Sequence, residues 1–580
     1  MKNLMLFTLL MILFCGVTVV AQAPLKKSSD RFKMLSEKSS TDATISGWIF
    51  FTDKGPAVRK QLANPEESVS RRSLDRRKKL PITGLDETDL PVYREYIRAI
   101  EAAGLRVKRT SKWMNGVTCV GTVEAFRRVA GLRFVESIDI IESYRSVRPV
   151  EVIKSEGHQF SPTPSPAGTN LLNYGNSYTQ LQQLRVPELH NIGYSGQGVM
   201  IAVLDAGFNL LAHEAFDSMH IVAAWDFVNN DPGVGDSSDM GTGSHGTKTL
   251  STIGGFKEGK LIGPAYRASY VLAKTENTDS ETPVEEDNWI AAMEWADSIG
   301  IDVSSTSLGY IGFDQPYTSY TWQSMDGNTC RITRAADLAV KKGIVVVNSA
   351  GNEGYHPTQN TLGAPSDGDS VLAIGAVDAT GNRVDFSSVG NTVDGRIKPD
   401  VMAMGTGVVV VSAINTTGYV TASGTSFSCP LAAGVAGLLI EQFPTASPMD
   451  IVRAMKETAS NSANPNREYG WGIINAVAAR GHLLLTIDNV LPPGDFTLEQ
   501  NYPNPFNPET VISYTLAKPG VVDLSVYAIN GEKVATLFSG MRSAGFYTQS
   551  FNASGLASGV YIYRLSTFEG SVSRKMMLIR

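Results

Sequence analysis

Cysteine is scarce in this sequence, which has four cysteines among 580 residues: Cys15, Cys119, Cys330 and Cys429. The first lies in the N-terminal leader and the second in the front segment, so only two well-separated cysteines remain in the central region. Two isolated cysteines supply neither a disulfide framework nor the clustered spacing of a metal site. We therefore expect Cys330 and Cys429 to be small, buried apolar residues.

Long apolar runs are missing after the first 20 residues, and the absence of any later run of about 18 apolar residues predicts no permanent membrane span. The chain begins Met1-Lys2-Asn3, continues with a mostly apolar run over 4–20 and reaches Ala21-Gln22-Ala23. A charged start, an apolar centre and a small-residue exit are typical of a secretory signal peptide, whereas a membrane anchor needs a longer run. We predict a signal peptide at residues 1–21 and export of the rest.

Net charge is also small, at −6, but it is unevenly distributed. Residues 24–150 hold 25 basic and 16 acidic side chains, about +9, whereas residues 151–580 hold 25 basic and 41 acidic, about −16. Opposite signs favour a front segment that docks on an acidic remainder. The basic residues alternate with acids and apolar residues, which argues against a nucleic-acid partner. Within the front segment, residues 71–79 predict an exposed, charged helix.

The hydrophobic content of 42% with 19% charged residues is that of globular domains. Alternating helix and strand patterns predict a small α+β unit in the front segment and a doubly wound parallel sheet in the central region. Short strands separated by turns predict a small all-β sandwich at the C-terminus. The predicted order is a signal peptide (1–21), an α+β unit (22–145), a proline-rich linker (146–177), an α/β domain (178–482), a second linker (483–495) and a β-sandwich (496–580).

Four polar residues stand where chemistry would need them. Gly424-Thr425-Ser426 delivers a serine to the start of a helix rich in small residues, where free N–H groups and the helix dipole favour an oxyanion. Asp205 follows a buried strand, His245 stands at a glycine-flanked helix start, and Asn352 lies on a glycine-rich turn. Taken singly, each has an ordinary structural interpretation: a turn former, a structural histidine and a loop amide.

Taken in order, these residues resemble the subtilisin-like serine peptidases, across roughly residues 178–482. The resemblance implies a subtilisin-like doubly wound parallel sheet with helices on both faces. It rests first on the four motifs that contain these residues, at 205–207, 245–247, 350–354 and 424–430. In addition, Ser307-Leu308-Gly309 resembles the substrate-binding strand of the family, and residues 398–405 resemble its segment ahead of the serine.

The resemblance implies a role for each position. Ser426 would be the nucleophile, His245 its general base, Asp205 the partner that orients the imidazole, and Asn352 a donor to the oxyanion. The expected substrate-binding positions, which would pair with the peptide main chain and line the pocket, are Ser307, Leu308, Gly309, Ser349, Ala350 and Gly351.

The implied chemistry requires no cofactor. Structural calcium is common in the family, but its ligands cannot be matched here, so we assign no metal site. We interpret the acid-rich loop 226–239 as solvated; its acids are Asp226, Asp231, Asp236 and Asp239.

Three residues depart from the family pattern. Ala206 stands where a serine or threonine is usual, and Phe427-Ser428 replaces the usual Met-Ala after the nucleophile. Ala206 removes a hydroxyl group but no atom of the triad, so we expect activity to survive. Ser428 lies two residues beyond Ser426, and we expect its side chain to point into the helix.

The flanking units have resemblances of their own. Residues 44–145 resemble, in element order, the inhibitory propeptides of these peptidases, and the alternative is an ordinary N-terminal binding domain. The C-terminal unit resembles the sorting domains of proteins exported by the type IX system of Bacteroidetes-like bacteria, and the alternative is a carbohydrate-binding sandwich. This second resemblance rests on four stretches: 496–508, 530–532, 555–561 and 574–580. It implies release outside the outer membrane or anchoring on the cell surface.

We therefore predict a secreted serine endopeptidase, made as a zymogen, with protein or peptide substrates, its own propeptide and the type IX machinery as partners. Two alternatives remain open at this point. One is a catalytically inactive cell-surface binding protein on the same scaffold. The other is a peptidase that cleaves only its own propeptide.

Overall fold

The structure is a computed structural model, and it describes most of the chain. The described residues are 32, 42–80, 84–141, 170–235, 243–313, 319–486, 496–516, 518–543, 545–567 and 570–580. The predicted signal peptide and Cys15 lie outside them, as does most of each predicted linker. No helix among the described residues combines the length and the apolar character needed to cross a membrane.

The front segment folds into the predicted α+β unit, with an antiparallel sheet in the order β2-β3-β1-β4. Alternation along β1 directs Ile49 and Phe51 into the core of this unit and turns Trp48 toward the central domain. Its elements are β1 (Thr44–Phe51), α1 (Val58–Leu62), α2 (Arg71–Lys79), α3 (Arg94–Ala102), β2 (Arg106–Ser111), β3 (Gly116–Thr122), α4 (Val123–Ala130) and β4 (Val135–Ile141).

A seven-stranded sheet forms the centre of the molecule, in the order β15-β12-β11-β10-β5-β9-β6, and all neighbouring strands run parallel. Its strands are β5 (Met200–Asp205), β6 (His220–Asp226), β9 (Ser269–Lys274), β10 (Val303–Thr306), β11 (Val345–Ser349), β12 (Leu372–Val377) and β15 (Val401–Met404). The chain builds β6 and β9 on one side of β5 before it crosses to β10 on the other side. The order of strands therefore reverses next to β5, where open α/β sheets place their functional groups.

Helices cover both faces of this sheet. Alternate side chains of β5 serve the two faces: Ile201 and Val203 pack with α7 and α10, whereas Ala202 and Leu204 pack with α8 and α9. The helices are α5 (Tyr178–Gln182), α6 (Val186–Asn191), α7 (His245–Gly254), α8 (Val284–Ile299), α9 (Arg331–Lys341), α10 (Thr425–Gln442), α11 (Pro448–Glu457) and α12 (Ala476–Thr486). Short two-stranded pairs complete the domain: β7 (Phe256–Lys257) with β8 (Leu261–Ile262), β13 (Gly390–Asn391) with β14 (Ile397–Lys398), and β16 (Val408–Val411) with β17 (Tyr419–Ala422).

The C-terminal unit is the predicted β-sandwich, in which sheets of order β18-β19-β22 and β21-β20-β23-β24 enclose an apolar core. Its strands are β18 (Phe496–Leu498), β19 (Glu509–Leu516), β20 (Gly520–Ala528), β21 (Lys533–Arg542), β22 (Gly545–Asn552), β23 (Gly559–Thr567) and β24 (Gly570–Leu578). The sandwich contacts the central domain, where the guanidinium carbon of Arg480 lies 3.6 Å from the ring centroid of Phe546.

The charged helix α2 is present, but the expectation that it is exposed is wrong. Arg76 and Arg77 are buried against α8. Their guanidinium groups lie 2.5 and 2.9 Å from the carboxylate of Asp297. Arg77 also forms a bidentate pair with Asp89 at 2.9 Å, and Asp89 in turn accepts from Lys342 of the central domain. Arg76 and Arg77 are therefore counter-ions for Asp297 of the central domain.

Two further acids of α8 face the front unit. Trp48 donates its indole N–H to Asp287 at 2.8 Å. Glu294 accepts the backbone N–H groups of Lys112 and Trp113 at 2.9 and 3.0 Å. Much of the docking that the uneven charge predicted is therefore made by the acids of helix α8.

Replacing Arg77 by alanine should loosen this contact, because two buried carboxylates lose the cation between them. Breaking one partner of a buried pair costs about 3–5 kcal/mol. With Ser426→Ala as the background, we expect Arg77→Ala to lower the urea midpoint of unfolding. The midpoint is read from the fluorescence of the buried Trp48 and Trp113. Arg59→Ala, at an exposed arginine of the same unit, is the matched control. Equal midpoints for both variants would contradict the assignment.

Burial raises the pKa of Asp287 to about 7. Because this folded-state pKa exceeds the unfolded value, the folded protein binds more protons between about pH 4 and 7, and its stability falls as the pH rises through that window. Asp287→Asn keeps an acceptor for Trp48 but cannot titrate, so the decline in melting temperature from pH 5 to pH 8 should be smaller. Asp217→Asn, at an exposed position, should follow the parent curve. A parallel curve for Asp287→Asn would refute this origin.

Candidate active site

The predicted functional residues gather at the carboxyl edge of the parallel sheet. Asp205 is the last residue of β5, His245 is the first residue of α7, and Ser426 lies in the first turn of α10. Helices α7 and α10 pack against each other on one face of the sheet. The ring centroids of His245 and Phe427, the residue after Ser426, are 5.7 Å apart.

The carboxylate of Asp205 is fully buried and hydrogen-bonded through both oxygens. Oδ1 lies 2.7 Å from Nδ1 of His245 and accepts the backbone N–H of Ala206 at 2.7 Å, while Oδ2 accepts the hydroxyl of Thr249 at 2.8 Å. Because Thr249 follows His245 by one helical turn, α7 presents both side chains to the same carboxylate. A carboxylate at Nδ1 favours the tautomer that carries its proton on Nδ1, so that Nε2 is the basic nitrogen.

Glycines allow the Asp205 and His245 segments to come this close. A Cβ atom built on Gly243 would lie 1.8 Å from the carbonyl oxygen of Ala206, and one on Gly246 would lie 2.5 Å from that of Gly207. Any side chain at these positions would push the two loops apart. The glycines that flank His245 in the sequence are therefore required by the close packing of these two segments.

Ser426 is held at the start of α10 by two hydrogen bonds with Ser307. Its hydroxyl donates to the carbonyl oxygen of Ser307 at 3.3 Å, and its own carbonyl oxygen accepts the hydroxyl of Ser307 at 2.8 Å. Pro430, four residues further on, has no N–H with which to bond that carbonyl within the helix. The proline thus leaves the carbonyl of Ser426 available to Ser307.

Asn352 is fixed by the residue before the serine. Its Oδ1 accepts the backbone N–H and the hydroxyl of Thr425 at 2.9 and 3.0 Å. A Cβ atom built on Gly424 would lie 3.7 Å from the nitrogen of Ser426 and 3.8 Å from Nδ2 of Asn352. Both nitrogens therefore border the space that the missing side chain of Gly424 leaves open.

The two expected substrate-binding segments differ in their surroundings. Ser307–Gly309 follows β10, and Gly309 is exposed. In contrast, the N–H of Ala350 donates to Ile374, and its carbonyl oxygen accepts from Gly363. The pairing expected of Ser349–Gly351 therefore finds the backbone of Ala350 already engaged within the protein.

The polar neighbours of Ser426 on α10 have structural partners. Ser428 is buried and donates to the carbonyl oxygen of Thr425 at 2.9 Å, so the expectation that it points into the helix is confirmed.

Cys330 and Cys429 are free, buried thiols, as expected. Burial raises the pKa of Cys429 to about 12, which keeps it protonated and unreactive.

One acid of the 226–239 loop contradicts the prediction of a solvated loop. Asp226 is fully buried and accepts the backbone N–H groups of Val228 and Asn229, and it lies 3.3 Å from Lys274. It closes a turn at the end of β6. Asp236 and Asp239 lie outside the described residues.

Sequence reasoning missed Glu276, a buried glutamate two residues beyond β9. Burial, with a smaller contribution from the charge of Asp205, raises its pKa to about 7. Tyr310, which follows the Ser307–Gly309 segment, donates its hydroxyl to Glu276 at 2.5 Å. Glu276 also belongs to the one group of three potential metal ligands found among the described residues, with Glu281 and Glu285. The position of Glu276 just after β9 could have identified it, because polar residues at strand ends lie at the functional edge of such a sheet.

Comparison with known families assigns each part of the chain. The model of the subtilase family matches residues 196–472. The model of the S8 peptidase propeptide domain of Bacteroidota matches residues 46–157, and that of the secretion system C-terminal sorting domain matches residues 500–579. The chain thus carries a propeptide domain and a domain that directs type IX secretion to the cell surface or the extracellular space.

Individual relatives agree. Subtilisin DY of Bacillus licheniformis is 32% identical over 288 residues, which cover 50% of this chain and 92% of that protein. Subtilisin NAT of Bacillus subtilis subsp. natto is 31% identical over 302 residues, 52% of this chain and 70% of its own. The crystal structure of MycP1 without its N-terminal propeptide aligns with 52% of this chain and 96% of its own, at 23% identity and a TM-score of 0.41. On the match to the subtilase model and the similarity to the two subtilisins, the chain belongs to the subtilase family of serine-type endopeptidases.

Proposed function

We propose that this chain hydrolyses peptide bonds in proteins through Asp205, His245 and Ser426 and a covalent acyl-enzyme intermediate. The observation that carries the proposal is the 2.7 Å hydrogen bond between Asp205 and Nδ1 of His245, in which Thr249 holds the second carboxylate oxygen. This arrangement fixes the imidazole as a base beside the helix that carries Ser426 in its first turn.

In the proposed acylation step, Nε2 of His245 removes the hydroxyl proton of Ser426 as Oγ attacks the scissile carbonyl carbon. Asp205 stabilises the imidazolium without accepting the proton. The imidazolium then donates its proton to the leaving amine, and the C–N bond breaks. Water, activated by the same imidazole, hydrolyses the ester and regenerates Ser426.

The oxyanion would be stabilised by the N–H of Ser426 and by Nδ2 of Asn352, which border the open space at Gly424. Oδ1 of Asn352 is engaged by Thr425, which fixes the orientation of the amide and therefore the position of its donor nitrogen, Nδ2. The reaction requires no cofactor, because every proton and charge is handled by these side chains.

The substrate would bind as an added strand along Ser307–Gly309, whose last residue is exposed. Ser349–Gly351 would contribute to the wall of the pocket for the residue before the cut. Asn348 holds the backbone of Leu308 in place, since its side-chain amide donates to the carbonyl oxygen of Leu308 at 3.0 Å.

For the whole chain, we propose export by the signal peptide 1–21, folding with residues 22–145 bound as inhibitor, and cutting within 146–177. The peptidase domain 178–482 and the sorting domain 496–580 would follow. The contacts of α8 support this scheme, because its buried acids find their partners in the front unit. Asp297 pairs with Arg76 and Arg77, and Asp287 accepts from Trp48.

Fluorophosphonate labelling tests the nucleophile. The matured chain should be labelled once, at Ser426, and should cleave unfolded casein, whereas Ser426→Ala should do neither. Ser428→Ala is the matched control, because its hydroxyl serves the helix backbone, and it should keep both properties. An unlabelled, correctly matured parent would favour the inactive binding protein, and labelling without cleavage of foreign proteins would favour a peptidase restricted to its own propeptide.

Substitution of Asn352 tests the oxyanion donor. Asn352→Ala should lower kcat by about 10²–10³ with little change in KM, the loss that removal of one such donor causes in subtilisin. Asn352→Asp retains the acceptor for Thr425 but lacks the N–H donor and adds negative charge, so kcat should fall at least as far. Steady-state kinetics on a chromogenic peptide measures both. Full activity of Asn352→Asp would exclude this role.

A further inference from the structure

Three glutamates form a compact group beside the catalytic edge of the sheet. One carboxylate oxygen from each of Glu276, Glu281 and Glu285 lies within 4.8 Å of the other two. Glu276 and Glu285 are buried, at 9% and 2% exposure. The three residues come from the end of β9, the following loop and the first turn of α8, so the group joins three separate parts of the backbone.

One oxygen of this group lacks a partner. Oε2 of Glu285 accepts the backbone N–H of Thr282 at 2.7 Å, and the backbone N–H of Asn277 also stabilises this carboxylate, whereas Oε1 is buried and makes no hydrogen bond of regular geometry. A buried carboxylate oxygen without a partner costs free energy, because it has lost water and gained nothing. The neighbouring charges that act most strongly on Glu285 are the carboxylates of Glu276 and Glu281, which increase the cost.

A cation would remove both costs at once. The donors are all carboxylate oxygens, with no sulfur or imidazole nitrogen among them, which is the donor set of a hard divalent ion. Calcium accepts irregular, flexible coordination and bidentate carboxylates, whereas magnesium demands a near-octahedral shell with several waters. The chemistry of the group therefore points to calcium.

We propose that Glu276, Glu281 and Glu285 bind one calcium ion. The ion would fasten the first turn of α8 to the end of β9. Through the hydrogen bond between Tyr310 and Glu276, it would also steady the chain that leaves the Ser307–Gly309 segment. The site is thus a clamp between the helix that receives the front unit and the segment proposed to bind substrate, and the second of these connections rests on the proposed function.

Calorimetric titration with CaCl2 tests the site in the full-length Ser426→Ala chain after treatment with EDTA. This chain does not need peptidase activity, so the result is independent of the proposed mechanism. The parent should bind calcium and should melt at a higher temperature in its presence. Glu285→Gln should lose one binding site and the corresponding increase. In EDTA, Glu285→Gln should melt no lower than the parent, because it removes a repelled charge.

Glu286→Gln is the matched control, because Glu286 is equally buried on the same turn but accepts from Tyr320 and lies outside the group. It should retain the full number of calcium sites. Glu281→Gln, at a partly exposed position, reports on the same site if Glu285→Gln fails to fold. Equal numbers of sites in the parent, Glu285→Gln and Glu281→Gln, or no calcium binding by the parent at millimolar concentrations, would overturn the proposal.

Discussion

The hydrogen bond between Asp205 and His245 sets the requirement that the rest of the central domain meets. It places a fully buried carboxylate 2.7 Å from an imidazole that begins another element. Such a carboxylate is stable only when its oxygens are hydrogen-bonded, and Ala206 and Thr249 supply those bonds. The parallel sheet places Asp205 at its carboxyl edge, and glycines such as Gly243 allow the Asp205 and His245 segments to pack closely.

Helix α8 links functions that lie far apart in the sequence. Its outward acids, including Asp287, Glu294 and Asp297, receive the front unit through hydrogen bonds and ion pairs. Its first turn also holds Glu285, which lies close to Glu276 and Glu281. Because a helix moves as a rigid body, a change at one of these contacts reaches the other through a single element. The same helix therefore joins the contact with the front segment to the group of three glutamates.

Local patterns predicted much of this molecule, since strand, helix and turn signals depend on neighbouring residues. The strand end at Asp205 and the helix start at Ser426 were of this kind. Burial set by distant partners was not predictable: the pattern of α2 was correctly helical, but no local signal shows that Arg77 meets Asp297, 220 residues away. The engaged backbone of Ala350 and the buried Asp226 likewise depend on tertiary neighbours.

The uneven charge has a consequence for the released enzyme. Residues 24–150 carry about +9 and residues 151–580 about −16, so loss of the front segment turns a nearly neutral particle into a polyanion. Like-charged particles repel over roughly a Debye length, about 8 Å in physiological salt. Copies of the active form would therefore repel one another as soon as they became able to cut, and this repulsion slows the encounters that self-digestion requires.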